Sequence, residues 1–366
     1  MIILLWIVLI FAALYFILLI VMSLAFRKQE LSGSTELDYT VIIAARNEEE
    51  NIQNVLKSLE FQTIKPVSII IVSDHSDDNT AIKANSFSVE HPEMNILVYE
   101  STGYGKREAI KKACELATTE LVLSLDADCS VHANWAESML TSKNEIHRVV
   151  GAPVLYGNSN SVLSFLFRSE LLQLVAGGVA AAKMNLPFQI SGGGMLFYRD
   201  DYLSFADQKL GKRHNHGDDV FFMQFLLQKY KRRSVGVSTH RFSVVLTNVP
   251  KSLSAFLRQR IRWASKAVSY QSIIPFLFGF IAILKGFLYP LAIFLFIISG
   301  LEAFFIPAGI VLTADYLFSA SAAIQMRYKY SIVGQLLLFV FYPFILLSVL
   351  LALPFSGKTK WKGRPV

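Results

Sequence analysis

Residues 121–128 read Leu-Val-Leu-Ser-Leu-Asp-Ala-Asp. A short apolar run of this length is a buried strand rather than a helix, so Asp126 and Asp128 stand together where that strand leaves the sheet. Upstream, residues 39–45, 67–72 and 95–99 have the same character and predict three further buried strands. Between the runs, 48–61 and 107–117 carry helical spacing, and Asn47 with Glu50 three residues on predicts a capping pair for the first helix. Strands alternating with helices imply an α/β fold with a mostly parallel central sheet and helices on its faces. Ligands of such sheets lie beyond the carboxyl ends of the strands. The polar clusters fall at those ends: Arg46-Asn47-Glu48 after the first strand, 73–80 after the second, and Asp126-Ala127-Asp128 after the fourth.

Around this region the composition changes. Of 366 residues 53% are hydrophobic and 17% charged, against about 25% charged in an ordinary soluble domain. Residues 1–26 contain no charged residue, which exceeds the roughly 20 apolar residues a transmembrane helix needs. The first charges, Arg27 and Lys28, follow that run instead of preceding it, so it reads as an uncleaved anchor. Five zones result: an anchor at 1–26, an α/β domain at 27–250, an interfacial amphipathic helix at 251–272, three or four apolar segments within 273–355, and a basic tail at 356–366.

The formal net charge of +7 is not spread evenly. From residue 267 onward seven Lys or Arg face two acids, leaving 28 bases and 26 acids in the middle. The excess therefore flanks the membrane, where basic residues mark the cytoplasmic side and anionic headgroups, and nucleic acid is not the expected partner. Two cysteines, Cys114 and Cys129, make neither a disulfide framework nor a zinc site. In the apolar region, spans are expected near 282–300, 303–324 and 331–353. With Arg27 and Lys28 inside, three such spans leave Lys358 to Arg364 outside, against the positive-inside tendency. Either one stretch, such as 273–284, is re-entrant or interfacial, or the tail breaks the rule.

Several constellations carry chemistry. Asp126 and Asp128 offer hard oxygen ligands suited to Mg2+ or Mn2+, which complete their shells with water and substrate phosphates; the alternative is a solvated turn. Asp74, Asp77 and Asp78 lie in Ser-Asp-His-Ser-Asp-Asp-Asn-Thr at 73–80, a segment equally suited to turn and N-cap chemistry. Gly103-Tyr-Gly-Lys106 opens a helix, where backbone N–H groups favour an anion and Lys106 adds a contact to a diphosphate. Asp218 and Asp219 directly precede an apolar helix, which they would cap, and Asp219 is also a candidate general base. His214 and His216 read as a solvated loop. Arg258-Gln-Arg-Ile-Arg-Trp263 lies on an amphipathic helix with its basic residues at the headgroups.

In this order the residues resemble the membrane-bound, inverting, family-2 glycosyltransferases with a GT-A fold, over about 39–263. The string VIIAARNEEEN at 41–51 resembles the family's opening strand and loop, and 73–80 its D-D-G-S-x-D-x-T segment. Asp126 and Asp128 match its D-x-D motif, Asp219 the base position of its E-D motif, and Gln259, Arg262 and Trp263 its Q-x-x-R-W motif. Trp361-Lys-Gly-Arg364 is similar to the tail of relatives acting on lipids and carotenoids. The sequence departs from the pattern at Ser73 (usually Asp), Asp218 (commonly Glu), and Gly194 in Gly192-Gly-Gly194 (Asn in a G-x-N segment).

The resemblance implies a fold of the GT-A type carrying N- and C-terminal transmembrane helices, and an integral enzyme of the cell (inner) membrane with its site on the cytoplasmic side. The expected partners are a nucleotide-sugar donor, a lipid or polysaccharide acceptor, and membrane lipids. Ala45, Arg46, Glu48, Asp74, Lys106, Asp126 and Asp128 are then expected to bind the donor, Asp74 at the nucleobase. Asp126 and Asp128 would hold a divalent metal, Mn2+ or Mg2+. Asp219 would be the catalytic base, with Asp218, Gln259, Arg262 and Trp263 at the diphosphate and acceptor. A processive polysaccharide synthase would use the same site, and a non-catalytic nucleotide-sugar-binding protein would keep the fold without needing the base and metal pair.

Overall fold

The computed structural model describes residues 2–26, 37–208, 218–266, 270 and 272–355, with the backbone at 360–361 and 364–365. Arg27, Lys28, His214, His216, and the side chains of the basic tail, Trp361 among them, lie outside the described residues. In chain order the helices are α1 (Ile2–Leu24), α2 (Ile52–Glu60), α3 (Thr80–Glu90), α4 (Lys106–Leu116), α5 (Trp135–Ser142) and α6 (Val162–Lys183). They continue with α7 (Arg199–Ala206), α8 (Asp218–Tyr230), α9 (Leu253–Ala264), α10 (Ile274–Ser299), α11 (Phe305–Gln325) and α12 (Ile332–Ala352). The strands are β1 (Tyr39–Ala45), β2 (Ser68–Ser73), β3 (Ile96–Glu100), β4 (Leu121–Leu125), β5 (Cys129–Val131) and β6 (Val149–Gly151). After these come β7 (Val154–Tyr156), β8 (Gly194–Tyr198), β9 (Val235–Val237) and β10 (Val245–Thr247).

The chain divides into two compact units. One, built from 28–157, 185–248 and 358–366, holds the sheets. Its main sheet has the order β3-β2-β1-β4-β8-β6-β9 among the described residues. β1 runs parallel to both β2 and β4, and β2 parallel to β3. These strands are apolar throughout because both faces are covered: Val41, Ile42 and Ile43 are all buried, so no in-out alternation is needed. α2 covers one face with Ile52, Val55, Leu56 and Leu59, a spacing that puts all four on one side of the helix. Strand order reverses between β1 and β4, and the crevice at such a reversal is where doubly wound sheets bind ligands.

The four strands expected from sequence are present to within a residue at each end. Two differences stand out. The first helix begins at Ile52, not at residue 48, and no Asn47–Glu50 capping pair forms. Asn47 adopts φ 52°, a left-handed conformation asparagine tolerates, and its side chain accepts from Asp77 N at 2.8 Å. The asparagine is thus committed to the neighbouring loop. In addition, β8 runs antiparallel beside β4, pairing Leu125 with Gly194.

The other unit, 1–27, 158–184 and 249–357, is helical. Among the described residues α1, α6, α10, the helical stretch ending at Gln325 and the one beginning at Ile332 are long and apolar enough to cross a membrane. α10 is one continuous 26-residue helix, which takes in the 273–284 stretch from Ile274 onward. α6 falls inside the region read from sequence as part of the α/β domain, yet it groups with the terminal helices. It cannot cross a bilayer once, because β6 before it and β8 after it are hydrogen-bonded neighbours in one sheet. By length and composition α1, α10, α11 and α12 remain candidates to span.

Candidate active site

Three strand ends converge on one rim of the sheet unit. At the end of β1, Arg46 is buried and spends its guanidinium on the next loop: NH1 donates to Asp74 O at 2.8 Å and His75 O at 3.0 Å, and NH2 to Asp77 Oδ2 at 3.3 Å. Ala45 is buried beside it, and its carbonyl accepts from Asp74 N at 2.8 Å. Glu48 donates its N–H to Thr80 Oγ1 at 2.7 Å while its Oε2 accepts from Asn51 at 2.7 Å. Asp78 accepts from Thr80 N and Glu49 N, both at 3.0 Å. The segment 73–80 is thus pinned to the β1 loop by its own carboxylates and carbonyls.

Asp74 is only 1% exposed. Its Oδ1 accepts from Gly105 N at 3.0 Å, tying the β2 end to the turn before α4. Gly105 has φ +98°, a conformation that favours glycine, and it sets Lys106 at the first position of α4. Lys106 Nζ forms an ion pair with Asp126 Oδ1. Burial on its own would push Lys106 down, but the carboxylates of Asp126, Asp219 and Asp218 outweigh it and hold the ammonium above the ordinary lysine range. Lys106 is therefore a fixed positive charge among acids.

β4 delivers the paired carboxylates. Asp128 Oδ2 accepts from Thr247 Oγ1 at 3.2 Å, and Cys129 Sγ donates to Asp128 Oδ1 at 3.7 Å. Ligand atoms of Asp126, Asp128 and Cys129 lie within 4.8 Å of one another. Burial, helped by the charges of Asp128 and Asp126, pushes the Cys129 thiol well up, so it stays protonated. The hard-donor set is consequently the two aspartates, which suits Mg2+ or Mn2+ with water and phosphate oxygens completing the shell.

Asp219 comes from a different element and meets this cluster. It is the second residue of α8; its Oδ1 accepts from Val220 N at 2.8 Å and its Oδ2 from Gly192 N at 3.0 Å. A carboxylate in the first helical turn is favoured by the helix dipole. Gly192 is anchored in turn, since Ser124 Oγ donates to its carbonyl at 3.0 Å. A Cβ at Gly192 would lie 3.3 Å from Lys106 Nζ, and one at Gly193 3.0 Å from Asp126 Oδ2. The glycine run therefore lets the backbone approach both Lys106 and Asp126 closely. At Gly194, where the family pattern has Asn, a Cβ would lie 2.8 Å from Ala152 Cβ and 2.9 Å from Val245 Cγ2.

Asp218 is buried at 3% exposure, and its charge joins burial in pushing the Tyr202 hydroxyl up. Gln259, Arg262 and Trp263 lie on α9 in the helical unit, not in the sheet unit. There Arg260, between them, ion-pairs with Glu170 of α6 through Nε at 2.8 and 2.9 Å, donates to Gln259 Oε1 at 2.9 Å and stacks over Trp263 at 4.4 Å. Sequence reasoning does not single out Thr247, Ser124 or Gly193 as site residues. Only the run Gly192-Gly-Gly194 carries a signal of close backbone approach, and Thr247 is placed by β10 alone.

Residues 40–203 match the model of the family described as glycosyl transferase family 2. Hyaluronan synthases of Streptococcus pyogenes are 28% identical over 274 residues, 70% of this chain and 63% of theirs. The chain thus spans less than two thirds of the length of those relatives' sequences. A 4,4'-diaponeurosporenoate glycosyltransferase of Staphylococcus haemolyticus is 30% identical over 113 residues, 31% of this chain and 30% of that one. Among solved structures, a mannosyltransferase of Pyrobaculum calidifontis in complex with GDP-Man and Mn2+ superposes with TM-score 0.59 at 16% identity, covering 97% of this chain and 100% of that one. The fold is that of the GT-A type, with long apolar helices at both ends of the chain.

Proposed function

We propose that this chain, whose residues 40–203 match the glycosyl transferase family 2 model, is a membrane glycosyltransferase that moves a sugar from a nucleoside diphosphate sugar, UDP-linked, to a lipid hydroxyl with inversion. The observation that carries this reading is the meeting of Asp219, Lys106 and the Asp126–Asp128 pair around Gly192 and Gly193. Asp219 takes the proton of the acceptor hydroxyl. The acceptor oxygen bonds to the anomeric carbon as the bond from that carbon to the diphosphate oxygen breaks, and the electron pair leaves with the nucleoside diphosphate. A divalent cation, Mn2+ or Mg2+, held by Asp128 with Asp126 would screen the charge that develops on that leaving group. Lys106 adds a fixed ammonium for the same phosphates, and Asp74 holds the turn that presents it. The Mn2+ and GDP-Man bound by the similar mannosyltransferase support the metal and donor classes.

The proposed enzyme lies in the cell (inner) membrane with its site on the cytoplasmic side, a reading supported by the basic Arg27 and Lys28 that directly follow the apolar helix α1. Processive polysaccharide synthesis is the second reading, favoured by the hyaluronan synthases aligning over 70% of the chain.

The test is nucleotide release by the detergent-purified full chain with Mn2+ across UDP-, GDP- and dTDP-sugars plus membrane lipid, wild type beside Asp219→Asn. Release that requires lipid and Asp219 and yields a single-sugar glycolipid is expected. Equal release by Asp219→Asn would overturn the base assignment, and long polymer as the product would favour the processive reading.

A further inference from the structure

Thr247 ends β10, the middle strand of the small sheet β5-β10-β7. Its backbone is fixed from both sides: it lies in register with Cys129 of β5 and Tyr156 of β7, and its carbonyl accepts from Gly157 N at 2.8 Å. Successive side chains of a strand alternate between faces, so Thr247 points the same way as Val245, which is buried against Gly194. On that face Thr247 meets Asp128, the residue directly before β5, and its Oγ1 donates to Asp128 Oδ2 at 3.2 Å. Cys129 Sγ reaches the other oxygen at 3.7 Å. The two aspartates of the pair are therefore held in different ways, since Asp126 takes the ammonium of Lys106.

That difference matters for a cation. Each carboxylate oxygen has two lone pairs, so one hydroxyl on Oδ2 sets the orientation of the group while leaving acceptor capacity on both oxygens. A hydroxyl also brings no net charge to oppose a metal ion, whereas the ammonium on Asp126 does. Without the hydroxyl the Asp128 side chain loses a fixed partner, and its rotation has to be frozen when the cation arrives. Partners that orient a metal ligand in this way are typically worth 10–100-fold in metal affinity. We propose that Thr247 is a positioning residue for the divalent cation, holding Asp128 in the orientation that binds it. The inference rests on the reading of Asp126 and Asp128 as metal ligands, and it extends that site to a residue 119 positions away in the chain.

The test reads Mn2+ binding alone, with neither nucleotide nor sugar transfer. Mn2+ is titrated into the full chain in detergent and the free ion is followed by electron paramagnetic resonance. Thr247→Val, which keeps the branched shape a strand favours, should weaken binding about tenfold, the lower end of that range. Thr247→Ser, which keeps the hydroxyl, should recover most of the affinity. Asn248→Ala removes the neighbouring bond from Asn248 Nδ2 to Asn51 Oδ1, 3.1 Å long, and should bind Mn2+ as wild type does. Equal affinity of Thr247→Val and wild type would overturn the proposal. So would an equal loss in all three variants, which would mean that the strand end had merely loosened. Wild type that binds no Mn2+ would overturn the metal reading of the two aspartates and the inference with it. Thr247→Ala is measured alongside, so the comparison stands if Thr247→Val fails to fold.

Discussion

Gly192 donates its backbone N–H to Asp219 Oδ2 at 3.0 Å. With Val220 N on the other oxygen, the carboxylate is oriented from two sides while remaining beside Lys106. In the transfer proposed above, a proton acceptor held this way enters the reaction in one geometry, which is how positioning lowers a barrier.

Gly192→Ala should therefore act on turnover more than on stability. The added Cβ lies 3.3 Å from Lys106 Nζ, which must give by a few tenths of an ångström, and 3.4 Å from Asp219 Cβ, an ordinary contact. Small misplacements of reacting groups lower rates. Steady-state nucleotide release beside a thermal melt checks this, with a modest drop in kcat and a nearly unchanged Tm expected.

Gly194→Asn, which restores the residue of the family pattern, should instead fail by packing. Its Cβ would meet Ala152 and Val245 below 3 Å, and overpacking of a core costs about 1–3 kcal/mol. A lowered Tm with no gain in activity is the expected outcome.

Lys106→Met separates the two uses of Asp126. Lys106 and Asp126 are 24% and 35% exposed, so their pair is worth about 1 kcal/mol at most. Removing the ammonium should tighten binding of Mn2+ alone by up to about fivefold, because Asp126 is released. Binding of the nucleotide sugar should weaken, since a phosphate contact is lost. Mn2+ titration by electron paramagnetic resonance and donor titration by calorimetry should move in opposite directions.

Glu170→Ala probes the support of the Q-x-x-R-W helix. Arg260 and Glu170 are 6% and 12% exposed, and leaving one member of a buried pair uncompensated costs about 3–5 kcal/mol. A large fall in Tm is expected. Glu170→Asp, which keeps the charge, should recover most of it, whereas Glu170→Gln should not.

Acid should destabilise the sheet unit through His240 and His132. His240 Nδ1 accepts from Phe242 N at 3.3 Å and lies 2.9 Å from Ser138 Oγ, an arrangement that suits a neutral ring. Burial, then the nearby Arg241 charge, lowers both histidines below their ordinary value of 6.5. The unfolded chain therefore binds protons first as pH falls below about 6.5, and stability present above that value is lost until the folded rings also titrate. Melting at pH 7.5 and 5.5 should show the loss, and His240→Gln should reduce it.

The strands, the position of the D-x-D pair at a strand end and that of Asp219 at a helix start were legible in the sequence because each depends on neighbours within a few residues. An apolar run of five has to be buried, and the polar residues that follow it have to lie at its end. Apolar length likewise marked the four helices able to span, since hydrocarbon thickness sets that length directly. Other features depend on contacts far apart in the chain. The pairing of β8 with β4 brings Gly192 to an acid 27 positions later, and β10 brings Thr247 to Asp128, 119 positions earlier. The grouping of α6 with the terminal helices was hidden because Arg168 and Glu170 interrupt its apolar run, and only their tertiary partners, Tyr328 and Arg260, neutralise that interruption.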